Sequence, residues 1–326
     1  MKTKILSLLR NTTEYLSGQE ICEYLGVSRT AVWKVMNQLK DEGYIIEAIQ
    51  NKGYRILEYP DILSKSEIAS RLQTSWAGRE IRFYEEISST NIEAKKLAEE
   101  GEPHGTLVVA DKQNAGRGRR GKTWESPAGS SVYMTILLRP EFPPDKASML
   151  TLLMALSVRN AVADVSGMEV QIKWPNDIVL HGKKICGILT EMSAELDYIH
   201  YVVIGVGINV NQKTFPEEIH VTATSLFMES EKKYVRAALI ERSMYYFEQY
   251  YDQFLEIQNL EGIWSEYNKY LINIEKRVRV LDPKGEFEGI AVGINNLGEL
   301  LVKKDDNEVT EVYAGEVSVR GLYGYV

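Results

Sequence analysis

Between two apolar runs, residues 106–110 and 131–139, lies Gly116-Arg117-Gly118-Arg119-Arg120-Gly121-Lys122, three glycines and four cations in seven positions. No regular element accommodates such a stretch. Glycine costs about 1 kcal/mol in a helix interior relative to alanine, and in a strand it leaves nothing to pack. The run must be a loop between buried strands, mobile when empty. Its composition suits a polyanion, because backbone N–H groups approach closely at glycine and guanidinium forks neutralise phosphate. A solvated basic turn, such as a nucleic-acid patch, has the same composition. The run is read as neither a Walker A sequence nor a GxGxxG fingerprint, so an ordinary P-loop kinase or Rossmann enzyme is disfavoured.

The N-terminal block has a different texture. Ile5, Leu6, Leu8 and Leu9 give a first helix its apolar face. Ser17-Gly18-Gln19-Glu20 spells a capping box, a hydroxyl for the N–H three residues on and a carboxylate reaching back. After the turn Gly26-Val27-Ser28, Ser28 N-caps a third helix in which Val32, Val35, Met36 and Leu39 recur at helical spacing. Trp33 is expected to pack inside, since large aromatics usually bury. Two short strands then bracket the hairpin turn Asn51-Lys52-Gly53. Helix, helix, turn, helix and hairpin make a winged helix-turn-helix. Ser28, Arg29, Thr30, Lys34, Asn37 and Gln38 are its candidate DNA contacts on the recognition helix. Lys52 and Arg55 on the hairpin suit phosphates or the minor groove. Residues 1–60 hold eight basic and seven acidic side chains, and the whole chain carries a net charge of −8. DNA contact is therefore local and salt-sensitive. A winged helix serving only protein contacts is the alternative.

Residues 65–270 alternate strands with long helices, and four further segments carry chemistry. In Ser88-Ser89-Thr90-Asn91, Thr90 and Glu93 spell a second capping box, and the small hydroxyls and amide suit a polar, uncharged ligand. Lys173-Trp174-Pro175-Asn176-Asp177 sits at a strand end, where Asn176 can read a base edge and Asp177 can help hold Mg²⁺ through substrate phosphates. A bare Asn-Asp turn is the alternative. Lys183-Lys184 enters an otherwise apolar strand; a lysine there is costly unless paired, and an anionic ligand would pair it. Gly205-Val206-Gly207-Ile208-Asn209 is a glycine-rich strand that lets a ligand approach.

In this order, and behind a winged helix, these segments resemble the bifunctional biotin–protein ligases that also act as biotin operon repressors, over the full length of the chain. The resemblance implies ATP- and Mg²⁺-dependent formation of biotinyl-5′-AMP. The biotinyl group would then pass to a lysine of the biotin carboxyl carrier protein of acetyl-CoA carboxylase. By position, Ser89, Thr90, Asn91, Gln113, Arg117, Gly118, Arg119 and Lys184 would bind biotin. Arg117, Arg119, Arg120, Lys122, Trp124, Asn176, Lys184 and Asn209 would bind ATP or the adenylate. Arg119, Lys184 and Asp177 would carry catalysis, with Asp177 acting indirectly on the metal. Lys122 departs from the arginine often found there, keeping the charge without the fork. The adenylate would also be corepressor for a homodimer on operator DNA. A sensor without ligase activity and a lipoate–protein ligase are the rival readings, as is a ligase with a vestigial winged helix.

The implied fold is α+β and multidomain. A winged helix spans 1–62, a mixed-sheet class II biotin ligase-like α/β domain spans 63–272, and a small SH3-like β-barrel spans 273–326. The last contains a turn at Asp282-Pro283-Lys284-Gly285 and strands up to 317–320; it assists binding or merely caps the fold. Two isolated cysteines, Cys22 and Cys186, and four scattered histidines argue against a disulfide framework or a metal cluster. Without an apolar leader or membrane-length run, a soluble cytoplasmic protein is expected.

Overall fold

The computed structural model describes residues 1–282, 285–314 and 318–321. Pro283, Lys284 and the proposed strand start at position 317 lie outside the described residues.

In the N-terminal unit α1 (Lys2–Arg10), α2 (Gly18–Leu25) and α3 (Arg29–Asp41) precede the hairpin β1 (Ile45–Ile49) and β2 (Gly53–Glu58). Local chemistry sets the boundaries. Ser17 and Glu20 form the reciprocal capping box, and Gly26 closes α2 in the left-handed region. The Ser28 hydroxyl accepts from Ala31 N–H. Ile5, Leu6, Leu9, Ile21, Val32, Val35, Met36, Leu39, Tyr44, Ile46 and Ile56 form one core. Trp33 is not in it. Its side chain is 57% exposed, because the four apolar positions of α3 already fill the inward stripe and Trp33 falls beside it.

The central unit contains α4 (Lys65–Arg71), β3 (Ile81–Ile87), α5 (Thr90–Glu99), β4 (Leu107–Gln113), β5 (Ser131–Leu138) and α6 (Met149–Ser166). It continues with β6 (Gln171–Lys173), β7 (Asp177–Leu180), β8 (Lys183–Ala194), β9 (Ile199–Asn209), α7 (Leu226–Ser230), α8 (Arg236–Ile257) and α9 (Trp264–Tyr270). Seven strands form one sheet in the order β3-β4-β5-β9-β8-β7-β6. Only β3 and β4 run parallel, joined by the α5 crossover. Side-chain alternation divides the sheet: Leu107 and Val109 point into the large core with α6 and α8, while Val108 packs with Ala94, Leu97 and Ala98 of α5. Residues 144–166 are long and apolar enough to cross a membrane, but 67% of their most apolar 18-residue window is buried inside the protein. The apolar length that the sequence reading missed belongs to a core helix.

Strands β10 (Arg277–Leu281), β11 (Phe287–Ile294), β12 (Leu300–Lys303), β13 (Val309–Val312) and β14 (Ser318–Gly321) form an antiparallel sheet in the order β13-β12-β11-β10-β14. Among the contacts that fasten it to the central unit, Trp174 Nε1 donates to Gly298 O at 3.0 Å, Trp174 N to Asn273 Oδ1 at 3.0 Å, and Ile294 N to Asn268 Oδ1 at 2.8 Å. The winged helix is fastened through charge. Glu67 of α4, fully buried, accepts from Arg10 at 2.9 Å, from Arg71 at 2.7 Å and from the Tyr44 hydroxyl.

Candidate active site

The α5 face of the sheet changes character along its strands. Leu137 and Val203 touch α5. Two residues along on the same side stand Thr135 and Gly205, which are paired, and beyond Gly205 stands Gly207, paired with Gly187 of β8. The lost side chains leave a depression at the N-terminus of α5.

Ser89, Thr90 and Asn91 are buried at that helix start. Thr90 N–H donates to Gln113 Oε1 at 2.9 Å, and the Thr90 hydroxyl lies 3.2 Å from the same oxygen. Thr135 Oγ1 lies 2.8 Å from Thr90 Oγ1 and 2.7 Å from Asn91 Oδ1. The expected Thr90–Glu93 capping box is absent. Ser89 occupies the N-cap without a side-chain cap, Gln113 reaches over to serve the Thr90 amide, and Glu93 accepts from Tyr84. A Cβ at position 205 would lie 2.0 Å from Asn91 Oδ1, so Gly205 is dictated by this amide.

The cationic loop forms a small hairpin: Gly118 N–H donates to Lys122 O at 2.7 Å and Trp124 N–H to Gly116 O at 2.9 Å. Contrary to the sequence reading, 116–123 as a string does satisfy both the P-loop and the GxGxxG patterns. Context removes both, because β4 runs into this hairpin and β5 follows it, with a single 3-10 turn at Arg119–Gly121 and no α-helix opened. Trp124 turns its indole back over the sheet, so that a Cβ at Gly207 would lie 2.5 Å from the ring and one at Gly187 2.9 Å. Its Nε1–H is buried and has no hydrogen-bond partner among the described residues.

Charged groups gather beyond Trp124. Lys184 Nζ sits 2.6 Å from Asp177 Oδ1 and 5.3 Å from the Trp124 ring. Arg119 Nη1 donates to Asn176 Oδ1 at 2.9 Å, and Asn176 Nδ2 donates to Ile188 O at 3.0 Å and to Asp177 at 3.2 Å. Lys184 therefore already has a protein partner, contrary to the expectation that a ligand anion alone would pair it; the β7–β8 hairpin brings Asp177 beside it. Burial lowers the Arg119 pKa against the opposing pull of Asp177. Lys173, 7% exposed, has its amine pushed down to about 8 by burial, with Lys184 adding to the shift and Asp177 opposing it.

A cavity of about 40 Å³ is lined by both sets, from Ser89, Thr90, Asn91 and Gln113 to Arg117, Gly118, Arg119, Trp124, Asn176 and Lys184. Beside it a second cavity, about 640 Å³, takes in Arg119, Arg120, Asn176, Glu191, Met192 and Tyr313. Lys122 is exposed, Asn209 donates to Thr224 O at 3.1 Å, and neither lines these two cavities. Sequence reasoning missed Ser126, which holds Gln113 Nε2 at 2.9 Å, and Glu191, which accepts from Asn91 at 2.8 Å. It also missed Thr135 and the anchoring role of Trp174. Only the burial of a lysine beside Trp174 had a sequence signal, in Lys173 itself. Among the described residues no three His, Cys, Asp or Glu side chains cluster as a metal site. Asp177 is a single carboxylate, so a cation there fits only together with ligand phosphates.

On the winged helix, Thr30 and Lys34 project from α3 into solvent and Asn37 is half-buried. Arg29 donates to Gln19 at 2.8 Å and Gln38 to Glu42 at 3.1 Å. Lys52 is at the wing tip, and Arg55 pairs with Glu47 at 3.1 Å.

A biotin/lipoate A/B protein ligase family profile matches residues 83–209, an HTH domain profile matches 2–55, and a biotin protein ligase C-terminal domain profile matches 274–320. The class is thus a protein ligase of the biotin/lipoate type with a DNA-binding module attached. The chain is 41% identical over 310 residues to the bifunctional ligase/repressor BirA of Bacillus subtilis, covering 94% of each chain. It is 30% identical over 322 residues to that of Escherichia coli, covering 97% of this chain and 96% of the other. The biotin protein ligase of Aquifex aeolicus in complex with biotin and ATP superposes with a TM-score of 0.66 at 29% identity, over 74% of this chain and 99% of that one. The chain belongs to the bifunctional biotin ligase/repressor family.

Proposed function

We propose that this chain joins biotin to a lysine of biotin carboxyl carrier protein through biotinyl-5′-AMP, and that its winged helix makes it a biotin-responsive transcriptional repressor. One observation carries the reading: a single cavity has a neutral hydrogen-bonding end at Ser89–Asn91 and Gln113 and a charged end at Arg117, Arg119, Asn176 and Lys184, with Asp177 paired to Lys184 behind it. The neutral end fits the ureido ring of biotin. A lipoyl dithiolane offers no hydrogen bonds, and buried polar groups left unpaired reject such a ligand strongly.

At the charged end a biotin carboxylate oxygen attacks the α-phosphorus of ATP, the bond to the bridging oxygen breaks, and pyrophosphate leaves. Lys184, Arg117 and Arg119 bring two anions together and stabilise the charge that develops. Asn176 meets adenine, and Arg120 and Trp124 complete the nucleotide side. Asp177, with the nucleotide phosphates, would hold Mg²⁺, which supplies further charge neutralisation. Next, the carrier lysine amine attacks the acyl carbon, AMP departs, and the amine loses a proton. The larger cavity beside Arg119 is wide enough for the incoming lysine. The loop at 116–122 closes over the anhydride and keeps water away.

The division of labour follows units at 1–62, 63–272 and 273–326. A winged helix reads half-sites as a dimer, so a homodimer stabilised by the adenylate would convert biotin status into operator occupancy through Ser28, Arg29, Thr30, Lys34, Asn37, Gln38, Lys52 and Arg55. Biotin-dependent exchange of pyrophosphate into ATP, with lipoate as the comparison, tests the ligase half. Exchange supported by lipoate and not by biotin would refute it. Sedimentation and DNA binding with and without biotinyl-AMP test the repressor half, where both must rise together.

A further inference from the structure

Trp33 is the anomaly of the winged helix. It lies on the solvent side of α3, 57% exposed, flanked by Thr30, Lys34 and Asn37. Wing residues Ile45, Ile49 and Leu57 are also exposed, but scattered aliphatics are ordinary on a surface. An indole in the middle of a polar helix face is not, since it forgoes burial that four other positions of the same helix obtain. Among the described residues Arg29, Lys34, Lys40 and Lys52 have no carboxylate partner, so this face is complementary to a polyanion.

We propose that Trp33 is a specificity-determining residue that packs against the C5-methyl of a thymine in the major groove of the operator. The inference rests on the DNA-binding reading given above. An indole has one donor and no acceptor, so it reads the donor and acceptor pattern of base edges poorly. The thymine methyl is the one apolar feature of the major groove, and an apolar side chain is its natural reader. Position supports the choice: Trp33 lies one helical turn from both Arg29 and Asn37. It therefore enters the groove with them when α3 docks.

The probe is the best duplex that the full-length protein, with biotin and ATP, selects from a randomised library. W33A is expected to bind that duplex about tenfold more weakly, the order of one lost base discrimination. Its affinity for an unrelated duplex changes less than twofold. Replacing each thymine by deoxyuridine removes one methyl at a time. At one position per half-site this should weaken the wild type severalfold and leave W33A unaffected, with W33F intermediate. Pyrophosphate exchange is unchanged, as Trp33 is far from the cavity. Equal loss on both duplexes, or no thymine position coupled to the variant, overturns the proposal while the repressor reading stands. So does weakened self-association with duplex selectivity retained, which would assign the indole to a protein contact. If the wild type enriches no sequence, both readings fall.

Discussion

The two ends of the small cavity are built on opposite principles. At the neutral end, Thr90, Asn91, Gln113, Thr135 and Ser126 bond to one another in fixed geometry, and glycine at 205 leaves the amide its room. Little has to move for a ring with matching donors and acceptors to enter. At the charged end, Lys184 is neutralised by Asp177 and Arg119 leans on Asn176. On the proposed reading, the side chains there would exchange protein partners for phosphate. Selectivity thus resides where the protein is satisfied in advance, and rate where it has to be re-paired.

The sharpest break should come at Lys184. Lys184→Gln is expected to slow biotin-dependent pyrophosphate exchange by about 10²–10³-fold, the order for losing one preorganised charge-stabilising donor. Biotin affinity, measured by calorimetry, should change far less. An equal loss of both would erase the contrast between the ends. Next comes the opposite error: Gly205→Ala puts a methyl against Asn91 and should weaken biotin binding by about 1–3 kcal/mol, the cost of overpacking. The maximal rate at saturating biotin should survive. Arg119→Ala then removes a charge-assisted contact of about 1.5–3 kcal/mol, read as faster dissociation of biotinyl-AMP. Dissociation as slow as in the wild type would remove Arg119 from the charged end.

The mildest effect concerns Lys173. Its amine titrates near 8 in the fold against an ordinary 10.5. Between those values the unfolded chain binds more protons, so this group's contribution to stability rises with pH and is lost as pH falls through about 8. Denaturant unfolding of Lys173→Met should show a flatter rise from pH 8 to 10 than the wild type. Parallel curves would mean that the amine is not desolvated as its burial implies.

Sequence legibility followed the range of the interaction. The caps at Ser17 and Ser28 depend on neighbours three residues away and stand where the sequence puts them. The Thr90–Glu93 box has the same spelling, yet Gln113 and Thr135 claim Thr90 from other strands. Loop and strand motifs located the cavity residues, but not that Asp177 would answer Lys184 across a hairpin. Trp33 misled because its size spoke for burial, while its position on the helix wheel spoke against it. The C-terminal strands were legible one by one, and their order in the sheet was not, since it depends on long-range pairing.

Glu67 gives the arrangement a history. Its carboxylate belongs to the ligase unit, but Arg10 and Tyr44, which satisfy it, belong to the DNA reader. Cutting the chain after the wing would take away Arg10 and Tyr44, open this carboxylate to water with Arg71 as its remaining partner, and uncover the face of α4 against which α1 packs. A lineage shedding its regulator would inherit that uncovered helix face along with the enzyme. Gene repression and biotin attachment are, through one side chain, hard to separate by deletion.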